Sequence, residues 1–400
     1  AMVALGVLWR WHIKNPPKKM GKSCAALCNA CLVKMPVFHP SNSCLTLLRK
    51  RRVSTAPQYI SLEVASVISE TDEAKSISFT IPPELAEQFA YKSGQFLTLR
   101  VPCQGKFLPR CYSMSSAPGL DLRPRVTVKR VQDGRGSNWI CDNLKKGERI
   151  EVLPPSGLFV SKDASRDKIL FAGGSGITPV FSIARSALQH GSGKVVLFYA
   201  NRDWASVIFL EKLQQLSMEH MERLSVIHWL DQDKGFVNRA GLTKFVQEQL
   251  PALNNPEVFI CGPGPFMDAA ENAALDAGLP DEAVHVERFA SLPEEGLELS
   301  PTTVDGAVDG AQVSIQLWGE NYTVDVNENE TILEAALRNK IAAPYSCQAG
   351  TCGTCACKLL EGTVQMRHNE ALSERDLARG MVLSCQAVPT APKVGVKFLD

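Results

Sequence analysis

The hydrophobic rhythm of the chain changes twice. From Tyr59 to about Lys162, apolar and polar residues alternate in short runs: YISLEVASVISE (59–70), AKSISFTI (74–81), GQFLTLRV (94–101) and RVTVKRV (125–131). A period of two gives each face of an extended segment its own set of side chains, as a half-buried strand requires. Pro82-Pro83, Gly94, Pro118-Gly119 and Asp133-Gly134 separate the runs. Short strands at this spacing predict a small antiparallel β-barrel over 59–162.

Residues 166–290 read differently. DKILFAGG (167–174) and KVVLFYANR (194–202) are nearly continuous apolar runs, as in strands buried on both faces. LSVIHWL (224–230) and EVFICGPGPFM (257–267) supply two more strands, and helical patterns at VFSIARSAL, VIFLEKLQQLSM and GLTKFVQEQL separate the four. Alternating strand and helix predicts an α/β doubly wound parallel sheet. Residues 291–311, rich in Pro, Gly, Ser and acids, read as a linker. From 312 to 400 the period of two returns. QVSIQLW and NYTVDVNE form a predicted hairpin about Gly319-Glu320-Asn321, and TILEAALRNK follows as an amphipathic helix with Thr331 and Glu334 spaced as a capping box.

Composition adds limits. A chain of 400 residues holds two or three domains, and 45% hydrophobic with 21% charged residues is the balance of a soluble globular protein. A net charge of +1 gives no reason to expect nucleic acid as a partner. No run of 18 apolar residues occurs, so no membrane span is expected. Residues 1–58 hold ten Lys and Arg and no acid, which leaves −9 on the remaining 342 residues. This basic segment, broken by Pro16 and Pro17, reads as a disordered extension or as sequence upstream of the true start. It also has the composition of a transit peptide. Its Cys24, Cys28, Cys31 and Cys44 fit no metal template.

The densest chemistry lies in CQAGTCGTC. Cys347, Cys352 and Cys355 are separated by four and two residues, and Cys385 follows after 29 more. This C-x4-C-x2-C…C spacing is that of a plant-type [2Fe–2S] site. Gly350 and Gly353 let the loop bend and bring N–H groups to the sulfurs. Zinc sites favour paired C-x2-C units, and only one such unit accompanies these four cysteines. Thirteen cysteines, an odd number, together with a metal motif argue for a reducing compartment, and we expect a cytoplasmic protein.

Two other stretches carry candidate sites. In RCYSMSS, Arg110 and Tyr112 share one face of an extended segment: the Arg suits a phosphate, the Tyr a flat aromatic ligand, and Ser113 a ring nitrogen. Downstream, Gly134, Gly136, Ser137 and Asn138 open an apolar helix whose free N–H groups suit a pyrophosphate. Together they read as one flavin nucleotide site. In the second block, Gly173, Gly174, Ser175, Gly176, Thr178 and Pro179 form a glycine-rich loop opening a helix, again a pyrophosphate seat. Asn201 and Arg202 end the next strand, where Arg202 either accepts a ribose 2′-phosphate or is a solvated loop residue. NADH against NADPH therefore stays open. Cys261, with Gly262 and Pro263, ends a strand where open α/β sheets bind ligands, although a buried Cys is also an ordinary small hydrophobe.

In this order the three blocks resemble flavin reductases of the ferredoxin–NADP reductase superfamily that carry a C-terminal plant-type ferredoxin domain. The resemblance spans roughly residues 59–400. It implies a β-grasp fold for the last block, and R-x-Y-S flavin contacts from Arg110, Tyr112 and Ser113. The serine pair Ser115 and Ser116 favours FAD over FMN, and Val128 and Lys129 join the flavin site. Cys261 would lie beside the nicotinamide as a catalytic residue with Ser113. Glu287 and Phe289 match an E-x-F element whose aromatic covers the flavin. The implied activity passes electrons from NADH (NADPH in the alternative) through FAD and the [2Fe–2S] cluster to a partner Rieske-type oxygenase. The likeness is greatest to reductase components of steroid hydroxylation. Phenylacetyl-CoA epoxidase-type and other ring-hydroxylating systems are alternatives, as is a stand-alone flavin oxidoreductase.

Overall fold

The computed structural model describes residues 58–103, 105–288 and 303–399. The basic extension, its four cysteines, Phe289 and most of the expected linker lie outside the described residues.

The first domain is a six-stranded antiparallel sheet built from β1 (Ile60–Thr71), β2 (Ala74–Thr80), β3 (Phe96–Cys103), β4 (Lys106–Ser113), β5 (Arg125–Lys129) and β6 (Arg149–Ser156). The strand order is β4-β3-β6-β1-β2-β5. The sheet curls until its two edges meet at a single bridge, Met114 to Val126. Alternation turns Leu62, Val64, Ile77, Phe79, Leu97, Leu99 and Val126 into one core, and α1 (Arg135–Asn143) adds Ile140 and Cys141 to it. The expected barrel is thus a curled sheet with a narrow closure.

The second domain has five parallel strands in the order β11-β10-β7-β8-β9. They are β7 (Lys168–Gly173), β8 (Val195–Asn201), β9 (Leu224–Leu230), β10 (Glu257–Cys261) and β11 (Val284–Glu287). Every residue of β7 and β8 is buried, because both faces are covered. Helices α2 (Ile177–His190) and α3 (Leu210–Glu219) pack in one core. After the single turn α4 (Asp231–Lys234), α5 (Arg239–Gln249) and α6 (Gly264–Asp276) pack in another. This is the doubly wound arrangement expected of unbroken apolar runs.

The third domain is a mixed five-stranded sheet in the order β13-β12-β18-β14-β16, with a small β15–β17 ribbon beside it. The strands are β12 (Ala311–Leu317), β13 (Glu320–Val326), β14 (Ala356–Glu361), β15 (Val364–Met366), β16 (Met381–Leu383), β17 (Ala387–Pro389) and β18 (Lys393–Phe398). Strands β12 and β18 run parallel, and α7 (Ile332–Arg338) packs its apolar side on the sheet core as in a β-grasp. Thr331 and Glu334 cap α7 reciprocally, with the Glu334 N–H donating to Thr331 Oγ1 (3.2 Å) and the Thr331 N–H donating to Glu334 Oε2 (2.8 Å). A second short helix, α8 (Glu374–Ala378), precedes β16.

Two expectations shift. The hairpin turn is Trp318-Gly319, both at positive φ (50° and 83°), one residue earlier than read. The end of the expected linker belongs to the third domain. Val304 is buried, its N–H donates to Asn329 Oδ1 (2.7 Å), and the Val308 N–H donates to the Pro389 carbonyl (3.1 Å).

Candidate functional site

Strand β4 ends in Arg110-Cys111-Tyr112-Ser113, and its register against β3 pairs Thr98 with Cys111 and Leu97 with Tyr112. The carboxyl ends of β7 and β10 face this segment across a cavity of about 360 Å³. The first domain lines it with Arg110, Tyr112, Ser113, Lys129, Gly134, Gly136 and Ser137. The second lines it with Gly173, Gly174, Ser175, Gly176, Thr178, Cys261, Gly262 and Pro263. The two halves of the sequence-derived site therefore share one space. Within the second domain the glycine loop packs directly on the end of β10: a Cβ on Gly176 would lie 2.0 Å from the Cys261 carbonyl oxygen.

The electrostatics divide the cavity. At one end Arg110 is partly buried, and burial holds its pKa below the ordinary guanidinium value. Among the described residues its side chain makes a hydrogen bond to the Pro109 carbonyl (3.0 Å) and no ion pair. A partly desolvated cation without a carboxylate is a seat for an anion. Beside it α1 begins at Arg135 without a side-chain cap on its first N–H groups, and a Cβ on Gly136 would lie 3.0 Å from Arg110 Cγ. These features fit the pyrophosphate of FAD. At the other end Cys261 and Glu287 stand side by side in the β10–β11 register. Burial pushes the Glu287 carboxyl well above the usual carboxylate range, and burial followed by the neighbouring Glu287 pushes the Cys261 thiol up. Ser113 Oγ donates to Glu287 Oε2 at 3.4 Å. A thiol and a carboxyl, both raised in pKa by burial, and a hydroxyl thus converge from three strands.

Other expected residues lie elsewhere. Val128 packs in the barrel core. Asn138 donates its side-chain amide to the Val131 carbonyl (3.2 Å) at the surface, and Pro179 is buried within α2. Asn201 is buried at the end of β8, and among the described residues neither its amide oxygen nor its nitrogen has a hydrogen-bond partner. An orphaned buried amide beside the glycine loop fits a nucleotide hydroxyl. Arg202 is exposed and ion-paired to Asp203 (3.1 Å) and Glu73 (3.6 Å). Ser115 and Ser116 do not reach the cavity. Ser115 bonds Thr127 (2.7 Å) and Ser116 bonds Tyr91 (2.7 Å), so they tie the barrel together. One further residue escaped the sequence reading. Arg135 lines the main cavity and also a neighbouring one of about 450 Å³, beside Phe107 and Trp139. Its only signal was position at the helix start.

Of the five cysteines of the third domain, the four of the motif form two neighbouring pairs, and Cys357 lies on β14. Cys347 neighbours Cys352, and Cys355 neighbours Cys385. The neighbouring thiols first, and then burial, raise Cys347 and Cys355 strongly. Cys352 is pushed up to about 12, first by the Cys111 thiol beside it. Among the described residues no three His, Cys, Asp or Glu side chains form a site for a single metal ion. Two thiol pairs are instead the donor set of two irons with two thiolates each. Gly350 sits at φ +75°, and a Cβ there would meet the His368 carbonyl at 2.8 Å. The N–H groups of Ala349 and Thr351 point to Cys347 Sγ and that of Cys347 to Cys352 Sγ, each at 3.4 Å. Gln386 Nε2 donates to Cys385 Sγ at 3.6 Å. Sulfurs ringed by donors fit a [2Fe–2S] cluster.

Comparison with known proteins gives three family matches along the chain. Residues 61–160 match an oxidoreductase FAD-binding domain, 170–272 an oxidoreductase NAD-binding domain, and 315–390 a 2Fe-2S iron-sulfur cluster binding domain. The chain is 44% identical over 345 residues to the ferredoxin reductase component of 3-ketosteroid-9-alpha-monooxygenase from Rhodococcus rhodochrous, covering 84% of this chain and 96% of that one. It is 36% identical over 352 residues to one of the subunits of 1,2-phenylacetyl-CoA epoxidase from Escherichia coli, covering 84% and 97%. Among solved structures, phthalate dioxygenase reductase aligns over 85% of this chain and 98% of its own with a TM-score of 0.54 and 25% identity.

Proposed function

This chain belongs to the family of oxygenase ferredoxin reductase components with FAD-binding, NAD-binding and 2Fe-2S domains, and on that premise we propose that it feeds electrons from NADH to a Rieske-type oxygenase of 3-ketosteroid 9α-hydroxylation. The observation that carries this reading is the single cavity in which Arg110, Tyr112 and Ser113 face the glycine loop and Cys261, with the cysteine loop beside it. The chemistry that FAD and the cluster supply when bound is conversion of a two-electron donor into single-electron delivery. Around them, Arg110 and the first N–H groups of α1 would hold the flavin pyrophosphate. Gly173 to Gly176 and the Asn201 amide would hold NADH. Cys261 stays an uncharged thiol and offers a compact wall to the nicotinamide ring. Glu287, whose carboxyl burial holds well above the usual range, accepts the Ser113 hydroxyl, so Ser113 Oγ is fixed where a ring nitrogen would meet it, away from water. Cys347 with Cys352 would ligate one iron, and Cys355 with Cys385 the other.

All nine cysteines of the described residues are free thiols, which supports a reducing compartment, and we place the protein in the cytoplasm. Among the described residues no helix is long and apolar enough to cross a membrane.

The test is reconstitution. The purified chain is combined in turn with a 3-ketosteroid 9α-oxygenase and a phenylacetyl-CoA epoxidase, and NADH consumption is followed against hydroxylated product. Coupled turnover with the steroid enzyme is expected. Coupling only to the epoxidase would reject the steroid assignment, and NADH oxidation without product from either would reject both.

A further inference from the structure

The N–H groups that point to Cys347 Sγ and Cys352 Sγ belong to the backbone, so the fold of the loop supplies them. The donor on Cys385 is of another kind. Gln386 follows Cys385 directly and is buried. Its amide nitrogen donates twice, to Cys385 Sγ (3.6 Å) and to the Gln348 carbonyl (3.0 Å). Gln348 in turn follows Cys347 and takes the loop through a left-handed turn at φ +55°. One amide therefore joins the two cysteine pairs: Cys385 through its sulfur, and Cys347 through the carbonyl of the next residue. The stem of the side chain lies against the loop at Gly350, where an added Cβ would come 3.2 Å from Gln386 Cγ. The backbone fixes where that stem begins. The Gln386 N–H donates to the Leu383 carbonyl (2.8 Å), and its own carbonyl accepts from the Arg367 N–H (3.1 Å).

We propose that Gln386 is a positioning residue that sets the reduction potential of the cluster, giving one N–H to the Cys385 sulfur and using the other to hold the cysteine loop at Gln348. This rests on the reading that the four cysteines hold a [2Fe–2S] cluster. Direction follows from proton counting. A primary amide carries two N–H hydrogens. The Gln348 carbonyl only accepts, and a ligating Cys385 is a thiolate with no proton to give. Turning the amide over would set its oxygen against two acceptors, so the nitrogen must face them. A hydrogen bond to a ligand sulfur favours the more negative, reduced cluster and so raises its potential. Burial keeps water from competing for the same sulfur. Gln386 is neither oxidised nor reduced, and it keeps both hydrogens throughout. Backbone donors stay when a side chain is exchanged, whereas this one does not. Position 386 is therefore a point at which the sequence adjusts the potential without altering a ligand.

The test compares Gln386→Leu and Gln386→Met with the unaltered full chain, each loaded with FAD and cluster. Iron content and the cluster EPR signal are recorded first, and their absence from the unaltered protein would reject the cluster reading together with this inference. An EPR-monitored redox titration then gives the cluster potential. Gln386→Leu removes both N–H groups and should shift the flavin–cluster electron distribution about fivefold toward the flavin, the change carried by one lost hydrogen bond. Pulsed ENDOR of the reduced cluster after exchange into D2O should show one exchangeable hydrogen fewer near the sulfurs. Gln386→Met, with a longer and more adaptable apolar side chain, should behave alike, and it is the reporter if the leucine variant does not retain the cluster. An unchanged potential or an unchanged set of exchangeable hydrogens overturns the proposal. Loss of the cluster from both variants also overturns it, because Gln386 would then be a brace for the loop and not a control on the potential.

Discussion

Two cysteines line the same cavity and do opposite things with it. Cys261 is buried at the end of a parallel strand beside Glu287, with a thiol pushed up first by burial and then by that acid. Cys111 sits partly exposed on an antiparallel strand, bonded to Thr98 and next to Cys352. The first belongs to a dry pocket that, on the proposed function, would receive a flat ring. The second belongs to a polar chain leading out of the flavin cavity into the third domain. Residue type does not separate them; the neighbours supplied by the fold do. The receiving end is built from strand termini of one sheet, and the delivering end from a contact between two domains.

The largest expected break lies at the delivering end. Cys352→Ser removes a thiolate from the proposed cluster. NADH-driven reduction of cytochrome c should fall by more than about 100-fold relative to reduction of ferricyanide, a larger change than outer-shell substitutions produce. Stopped-flow absorbance with both acceptors checks it. Equal losses would mean that the cluster loop is not the exit.

The receiving end should reveal itself through pH. Burial keeps Glu287 protonated to well above the ordinary carboxyl value of 4.5. An acid whose folded pKa is raised contributes stability that is fully present below the unfolded value and lost as pH rises toward the folded one. Each pH unit in that window removes about 1.4 kcal/mol. Glu287→Gln cannot ionise and should lose none of it. Thermal melts from about pH 5 upward should therefore show the variant gaining Tm on the unaltered protein as pH rises. A constant difference across the range would mean that Glu287 is ionised in the fold.

The contrast between the two ends also marks what the sequence can reveal. Strands β7 and β8 are legible because a six- or seven-residue apolar run has no exposed face to hide. Strand β12 is legible for the opposite reason, since its burial alternates at every residue. The cysteine loop is legible because its ligands are local apart from Cys385. What depends on register or docking is not. Cys261 meets Glu287 only through the parallel pairing of β10 with β11. Thr98 meets Ser346 across 248 residues. Ser115 and Ser116, whose place in the motif favoured FAD over FMN, have their hydroxyls taken up by Thr127 and Tyr91, pairings that only the folded barrel reveals. Val304 to Gly310 read as linker because they lack apolar period, while a single buried Val304 and backbone hydrogen bonds fasten them to the third domain.

The smallest expected effect sharpens the rim of the receiving end. Arg202 follows Asn201 at the carboxyl end of β8, where a ribose 2′-phosphate would be recognised. It is not idle: Asp203 Oδ2 lies 3.1 Å from its Nε and Glu73 Oε1 3.6 Å from its terminal nitrogen. Glu73 is also 3.7 Å from Lys129. A 2′-phosphate on Arg202 would displace two carboxylates or bear their repulsion, whereas the 2′-hydroxyl of NADH meets no such penalty. Glu73→Gln should therefore raise the ratio of kcat/KM for NADPH over NADH, and Glu73→Gln with Asp203→Asn should raise it further, by up to about fivefold, because exposed charge pairs are worth little. Asn keeps the capping oxygen that Asp203 offers the Ser206 N–H (2.8 Å), so the turn survives the change. Steady-state kinetics with both coenzymes decide it. An unchanged ratio would make Arg202 a solvated loop residue, and coenzyme choice would then rest on the buried Asn201 amide alone.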